Sequence, residues 1–238
     1  MEWGAYTAVL FDLDGVLTPT AEVHMKAWSE MFNGYLAGLP GQEPYGDADY
    51  FAYVDGKPRY DGVRDFLASR GILLPEGAPD DDPGLETVCG LGNRKNATFT
   101  HIVARDGVTP YAGSVALVEQ LAADGHRLAV VSSSRNARPV LEAAGLAGLF
   151  PVVVDGVLAK AEGLAGKPAP DTFLRAAQLL GAPPAQAVVV EDAISGVAAG
   201  AAGGFGLVIG VDRGVGAEAL RIAGAHVVVS DLAELAAR

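Results

Sequence analysis

The chain has a single cysteine, Cys89, few basic residues and no long apolar run. Each shortage closes off a class of protein. One thiol forms neither an intramolecular disulfide nor a cysteine-built metal cluster. The 17 Lys and Arg stand against 29 Asp and Glu, giving a formal net charge of −12 and a pI near 4.6. Surfaces that bind nucleic acid or anionic membranes need clustered cations, so neither partner is expected. No apolar stretch reaches the roughly 18 residues of a membrane span. The start, Met1-Glu2-Trp3-Gly4-Ala5, carries neither the basic segment nor the apolar stretch of a secretion signal. A cytoplasmic monomer is the expectation. What the chain does have is apolar substance: 238 residues, 50% hydrophobic, with mean hydropathy +0.26, enough for a full core.

From about Tyr111 onward one rhythm repeats. Helix-like segments, such as Ser114 to Asp124 with Val118, Leu121 and Ala122 on one face, alternate with short β-branched runs. These runs are Leu128 to Val131, Val152 to Val154, Ala187 to Val190, Leu207 to Val211 and Val227 to Val229, and an earlier run, Thr7 to Phe11, has the same character. Continuous apolar strands between amphipathic helices predict a doubly wound α/β fold, a parallel sheet covered on both faces. The intervening segment breaks the rhythm. It reads as helices over Glu22 to Phe32, Gly62 to Arg70 and Asn96 to Ala104, joined by loops rich in Gly and Pro, with Asp80-Asp81-Asp82 in a solvated loop. The expected organisation is a core of residues 1–20 and 106–238, with a small helical domain, 21–105, inserted after the first strand.

In such sheets ligands bind at the carboxyl ends of the strands, and several strand candidates here end in polar residues. Thr7 to Phe11 runs into Asp12-Leu13-Asp14-Gly15, and side chains at i and i+2 of an extended chain share a face. Paired carboxylates offer ligation of a hard cation such as Mg²⁺, or a nucleophile beside an acid/base; alone, the pair equally fits a strand ending in solvated acids. Leu128 to Val131 leads into Ser132-Ser133-Ser134-Arg135-Asn136, either a phosphate cradle or plain helix capping. Lys167 sits between Gly166 and Pro168, where a stiff backbone suits an ammonium held against phosphoryl oxygens. Ala187 to Val190 ends in Glu191-Asp192, a second acidic pair.

Together these make a phosphoryl-transfer constellation. Asp12 and Asp192 would hold Mg²⁺, with Lys167 and Ser132 on the remaining oxygens. Asp12 would attack phosphorus while Asp14 protonates the departing oxygen. A receiver-like regulatory domain, which also phosphorylates an Asp on a parallel sheet, fits less well, because its acidic pair and its phospho-acceptor lie on separate strands.

The ordered blocks Phe11-Asp12-Leu13-Asp14-Gly15, Val131-Ser132-Ser133-Ser134, Gly166-Lys167-Pro168 and Val190-Glu191-Asp192 resemble the haloacid dehalogenase (HAD) superfamily, and the insert resembles its helical-cap subclass. The resemblance implies a Rossmann-like core, an aspartyl-phosphate on Asp12 and acid/base action by Asp14. It also implies Mg²⁺ held by Asp12, the Asp14 carbonyl and Asp192, with Glu191 nearby. Thr20 and His24, Arg94-Lys95-Asn96, the Ser132, Ser134 and Asn136 spacing, and Lys167-Pro168-Ala169-Pro170-Asp171 resemble the β-phosphoglucomutase-like branch. That branch implies a phosphorylated sugar as substrate, with Gly56, Arg59 and Lys95 meeting it from the cap, together with Ser133. The surroundings depart from its pattern, since Asp55 precedes Gly56 where a Lys is usual, and Lys57 follows. A mutase is the first expectation and a sugar-phosphate phosphatase the second.

Overall fold

The computed structural model describes residues 1–236. It contains two compact units, Met1–Thr20 together with the chain from Val108 on, and Ala21–Gly107.

β1 (Ala8–Phe11) opens the first unit. The chain then passes through the helical unit: α1 (Thr20–Leu36), the short α2 (Asp47–Asp49) leading into a π-helical stretch at Tyr50–Val54, α3 (Arg59–Ser69) and α4 (Val88–Asp106). It returns as α5 (Ala112–Ala123), β2 (Arg127–Val131), α6 (Ala137–Ala143), β3 (Val152–Val154), α7 (Gly156–Glu162), α8 (Asp171–Leu180), β4 (Ala187–Glu191), α9 (Ile194–Ala202), β5 (Leu207–Val211), α10 (Ala217–Ala223) and β6 (Val227–Val229). All six strands are parallel, in the order β3-β2-β1-β4-β5-β6. The α/β sheet expected from the apolar runs is therefore present.

β1 lies at the centre, with Phe11 level with Val130 on one side and Val190 on the other. Every β1 residue is fully buried, as a central strand covered on both faces requires. Ala8 and Leu10 share a face with Ala129, Val131, Val189 and Val208, packed beneath α8, α9 and α10 through Phe173, Ala176, Val197 and Leu220. By the alternation of strand side chains Val9 and Phe11 turn to the opposite face, where Phe11 meets Phe150 edge-on at 6.1 Å. The chain leaves β1 in opposite directions across the sheet, to β2 and β3 on one side and β4 to β6 on the other. The crevice where such an order reverses is the ligand site of open α/β sheets.

The helical unit has its own core. Trp28, Phe32, Tyr45, Tyr50, Phe66 and Leu91 are buried together in it. Its helices are longer than the sequence suggests. α4 starts at Val88 where Asn96 was expected, because Thr87 caps it by accepting from the Gly90 N–H at 2.9 Å. Gly92, inside α4, lies where an added Cβ would press on the Tyr60 ring. α3 likewise starts at Arg59, ahead of the expected Gly62.

Candidate active site

The site grows from the register of β1 and β4. The Asp12 N–H donates to the Val190 carbonyl at 2.9 Å, which carries the pairing one residue past the strand and sets Asp12 beside Glu191. Strand alternation puts Asp12 on the Leu10 face and Glu191 on the Val189 face, the face covered by α8 and α9. Between them enters Lys167, from the loop before α8, where its peptide bond to Pro168 is cis. Its ammonium contacts Asp12 at 2.5 Å and Glu191, donates to the Val131 carbonyl at 3.3 Å, and lies 5.1 Å from the Phe173 ring centre. Lys167 thus ties together the ends of β1, β2 and β4. All three charged side chains are buried.

Desolvating ions is unfavourable, and an apolar cluster of the same volume would serve stability as well or better. The group points to chemistry. Burial alone would lower the Lys167 ammonium, but the Asp12 and Glu191 carboxylates outweigh it and hold Lys167 above the ordinary lysine range. Burial pushes the Asp12 carboxyl well above the usual carboxylate range; Lys167 opposes this, and the Glu191 and Asp14 charges add to it.

Asp14 faces a different set of partners. One carboxyl oxygen accepts from the Thr20 hydroxyl, which sits 2.7 Å from the Thr18 hydroxyl, and the other is 3.4 Å from the Ser132 hydroxyl. Gly15 follows with φ +84°, and an added Cβ there would overlap the Asp192 carboxylate. Asp192 therefore lies against the turn that carries Asp14. Glu191, expected close to the metal ligands, gives one oxygen to Lys167 and the other to the Ala193 N–H at 2.9 Å, and a Cβ on Gly196 would collide with its carboxylate. That environment makes it the counter-charge of Lys167.

The serine cluster is partly a capping device. Ser132 Oγ accepts from the Ser134 N–H at 3.0 Å, and Ser134 Oγ from the Asn136 N–H at 3.1 Å. Both hydroxyls keep their protons for other acceptors. Ser133 and Asn136 lie on the same loop, half-buried.

Other candidates fall within the helical unit. Lys95 is buried in contact with His24 Nδ1, its ammonium 4.8 Å from the Trp28 ring and 5.1 Å from that of Phe99, on which His24 stacks at 4.0 Å. Arg59 donates to Asn96 Oδ1 at 2.6 Å and to Asn93 Oδ1 at 3.4 Å. Gly56, with φ +70°, turns the chain just before it. Lys57 pairs with Asp65 at 2.7 Å, and Arg94 donates to the Pro83 carbonyl at 2.8 Å.

The sequence reading missed three supports of the Asp14 turn. Ser114 Oγ donates to the Val16 carbonyl at 2.7 Å, the Tyr111 N–H to the Leu17 carbonyl at 3.0 Å, and Arg213 Nε to the Gly15 carbonyl at 2.8 Å. The signal for Arg213 was present, because β5 also ends in polar residues, Asp212-Arg213.

Oxygen donors at this crevice suit a hard divalent cation. Among the described residues no cluster of three acidic, His or Cys side chains fits a metal. A site offering one or two carboxylates, with waters or phosphate oxygens completing the shell, is of the kind that Mg²⁺ takes. The carboxylates of Asp12, Asp14, Glu191 and Asp192 also outnumber the one buried ammonium beside them, and a divalent cation would reverse the upward push on Asp12.

Charged side chains converging at the switch point of a parallel sheet define an enzyme of the α/β class, one with a carboxylate poised beside a buried lysine. The chain belongs to the haloacid dehalogenase-like hydrolases, whose family model matches residues 6–204. It is 54% identical over 237 residues to a β-phosphoglucomutase of Mycobacterium bovis, covering 96% of this chain and 90% of that one. It is 34% identical to hexitol phosphatase A of Escherichia coli, over 82% of this chain and 78% of that one. In fold it is similar to a β-phosphoglucomutase structure from Clostridium difficile, with a TM-score of 0.79 at 23% identity, covering 97% of this chain and 93% of that one.

Proposed function

We propose that the protein transfers a phosphoryl group on a small sugar phosphate, as a β-phosphoglucomutase-like mutase acting through an aspartyl-phosphate on Asp12. The observation that carries the reading is the Asp12 carboxylate held by Lys167 at the end of the central strand, with Asp14 two residues on in a separate hydrogen-bonded setting. The 54% identity across nearly the whole chain gives the substrate class its support.

In this reading an Asp12 oxygen attacks phosphorus as the bond to the sugar oxygen breaks. Asp14 gives that oxygen its proton, leaving a carboxyl-phosphate anhydride on Asp12. A second sugar hydroxyl then attacks, losing its proton to Asp14 and restoring the Asp12 carboxylate. Lys167 and the Ser132 hydroxyl bind the remaining phosphoryl oxygens, where charge gathers in the transition state. Asp12, the Asp14 carbonyl and Asp192 would hold Mg²⁺, which supplies positive charge against the incoming phosphate. Segment 21–105 is read as the family's cap, with Gly56, Arg59, Lys95 and His24 assigned to sugar-phosphate recognition, alongside Thr20, Ser133, Ser134 and Asn136 of the core. A cytoplasmic monomer remains part of the proposal; among the described residues no helix is long and apolar enough to cross a membrane.

The likeness to a hexitol phosphatase favours a second reading, in which water takes the phosphoryl group. One experiment separates the two. The protein is incubated with Mg²⁺, β-glucose 1-phosphate and a trace of the 1,6-bisphosphate, and glucose 6-phosphate is followed against inorganic phosphate. Glucose 6-phosphate is the expected main product, and inorganic phosphate in its place makes the protein a phosphatase. Asp12→Asn is expected to lower either activity at least about 10³-fold; unchanged turnover removes Asp12 as the nucleophile.

A further inference from the structure

We infer that Arg213 is a positioning residue for the proton carrier: by holding the Gly15 carbonyl it fixes the turn from which Asp14 projects. The inference rests on the proposed role of Asp14.

Arg213 lies in the loop after β5, shaped by Asp212 Oδ1, which accepts from the N–H groups of Gly214 and Gly216 at 3.0 Å each. Its guanidinium is held in three ways. Nε donates to the Gly15 carbonyl at 2.8 Å, Nη1 donates to the Ser230 carbonyl at 2.9 Å, and the guanidinium carbon stands 3.9 Å from the centre of the Tyr111 ring. A planar fork meets two carbonyls and an aromatic face at once, which an ammonium on a flexible stem does not reproduce.

The turn it grips is anchored residue by residue. The Thr18 carbonyl accepts from Gly15 N–H at 2.7 Å, the Leu17 carbonyl from Tyr111 N–H, and the Val16 carbonyl from Ser114. Arg213 anchors the carbonyl of the residue directly after Asp14. That matters because the turn sets where the Asp14 carboxyl projects: one of its oxygens accepts from Thr20 and the other lies 3.4 Å from Ser132, and both contacts require the backbone beneath to stay in place. Asp192 lies against the same glycine.

Stability alone does not account for the placement. Among the described residues, Arg213 Nη2 is one of few buried side-chain polar atoms without a hydrogen-bond partner. A buried donor left unmet is unfavourable, and an apolar side chain could cover Tyr111 without it.

A proton carrier matters most when the departing oxygen is a poor leaving group. The test therefore compares kcat/KM for β-glucose 1-phosphate, whose sugar oxygen needs a proton, with that for 2,4-dinitrophenyl phosphate, whose phenolate leaves without one. In Arg213→Met the sugar phosphate is expected to lose about 10²-fold while the aryl phosphate stays within about threefold. Arg213→Lys, which keeps charge and stem, is expected to show the same selectivity at about tenfold and serves where the Met variant fails to fold. Equal losses on both substrates, or none, overturn the inference. Asp14→Asn is run alongside. If it shows no such selectivity, or if Asp12→Asn keeps activity, the proposed function fails instead.

Discussion

Gly15 occupies a position no other residue fits. Its φ of +84° lies in the left-handed region, its carbonyl is held by Arg213, and a side chain there would displace the Asp192 carboxylate. The left-handed conformation costs a residue with a Cβ about 1–2 kcal/mol, which the fold can absorb. Displacement of Asp192 cannot be absorbed without moving a proposed metal ligand. Gly15→Ala is therefore expected to weaken Mg²⁺ binding by about 10–100-fold while the protein stays folded. Titration calorimetry with Mg²⁺ reads the affinity and a thermal melt reads the fold. Unchanged affinity would show that Asp192 is not where the ion binds. At this scale the sequence was legible in kind and not in cause: the turn at Gly15 could be read from Asp-x-Asp-Gly, but that it makes room for Asp192 depends on β1 and β4 being neighbours. Gly196, which makes room for Glu191, is the same case.

Elements built on continuous apolar runs were read to within a residue or so, because a strand buried on both faces leaves no other pattern. The helical unit was less legible. Its helices are set by tertiary contacts that override local preference: Gly90 and Gly92 sit inside α4 despite a propensity penalty of about 1 kcal/mol each, because Gly90 lies against the Leu85 carbonyl and Gly92 against Tyr60. Within that unit Tyr45 is 5% exposed, packed against Phe32 and Phe66 at 4.9 Å, yet its buried hydroxyl oxygen has no hydrogen-bond partner among the described residues. Burial, and then the charges of Asp49, Asp55 and Asp47, push its phenol far above the ordinary tyrosine range. A raised folded pKa leaves stability unaffected below the unfolded value of about 10 and lowers it as pH rises above that value, where only the unfolded chain ionises. Tyr45→Phe removes both liabilities. It is expected to raise stability at pH 7 by up to about 1–3 kcal/mol and to flatten the decline above pH 10. Denaturant melts at the two pH values check it, and a destabilised variant would mean that the hydroxyl has a partner, such as a bound water.

Across the whole molecule, charge poses a problem that position solves. A chain of net charge −12 repels a phosphate dianion at long range, so the substrate must be attracted locally. Composition stated the problem, and the polar strand ends located part of the answer: Lys167 stands at the ends of β1, β2 and β4, but Asp12 and Glu191 already offset its charge, so in the proposed reading a bound Mg²⁺ would supply the remaining attraction. What composition could not show is which field an approaching substrate meets first. The two have different reach. At about 0.01 M ionic strength the Debye length is about 30 Å and the net negative field extends over the protein; at about 0.15 M it shrinks to about 8 Å, while attraction at contact distance is largely retained. Added NaCl should therefore remove more repulsion than attraction. At fixed, saturating Mg²⁺, kcat/KM for β-glucose 1-phosphate is expected to rise about two- to fivefold between these ionic strengths. A neutral viscogen serves as the control for diffusion. A fall in kcat/KM would mean that the cations at the strand ends already dominate the approach, and that the acidic surface lies where the substrate never passes.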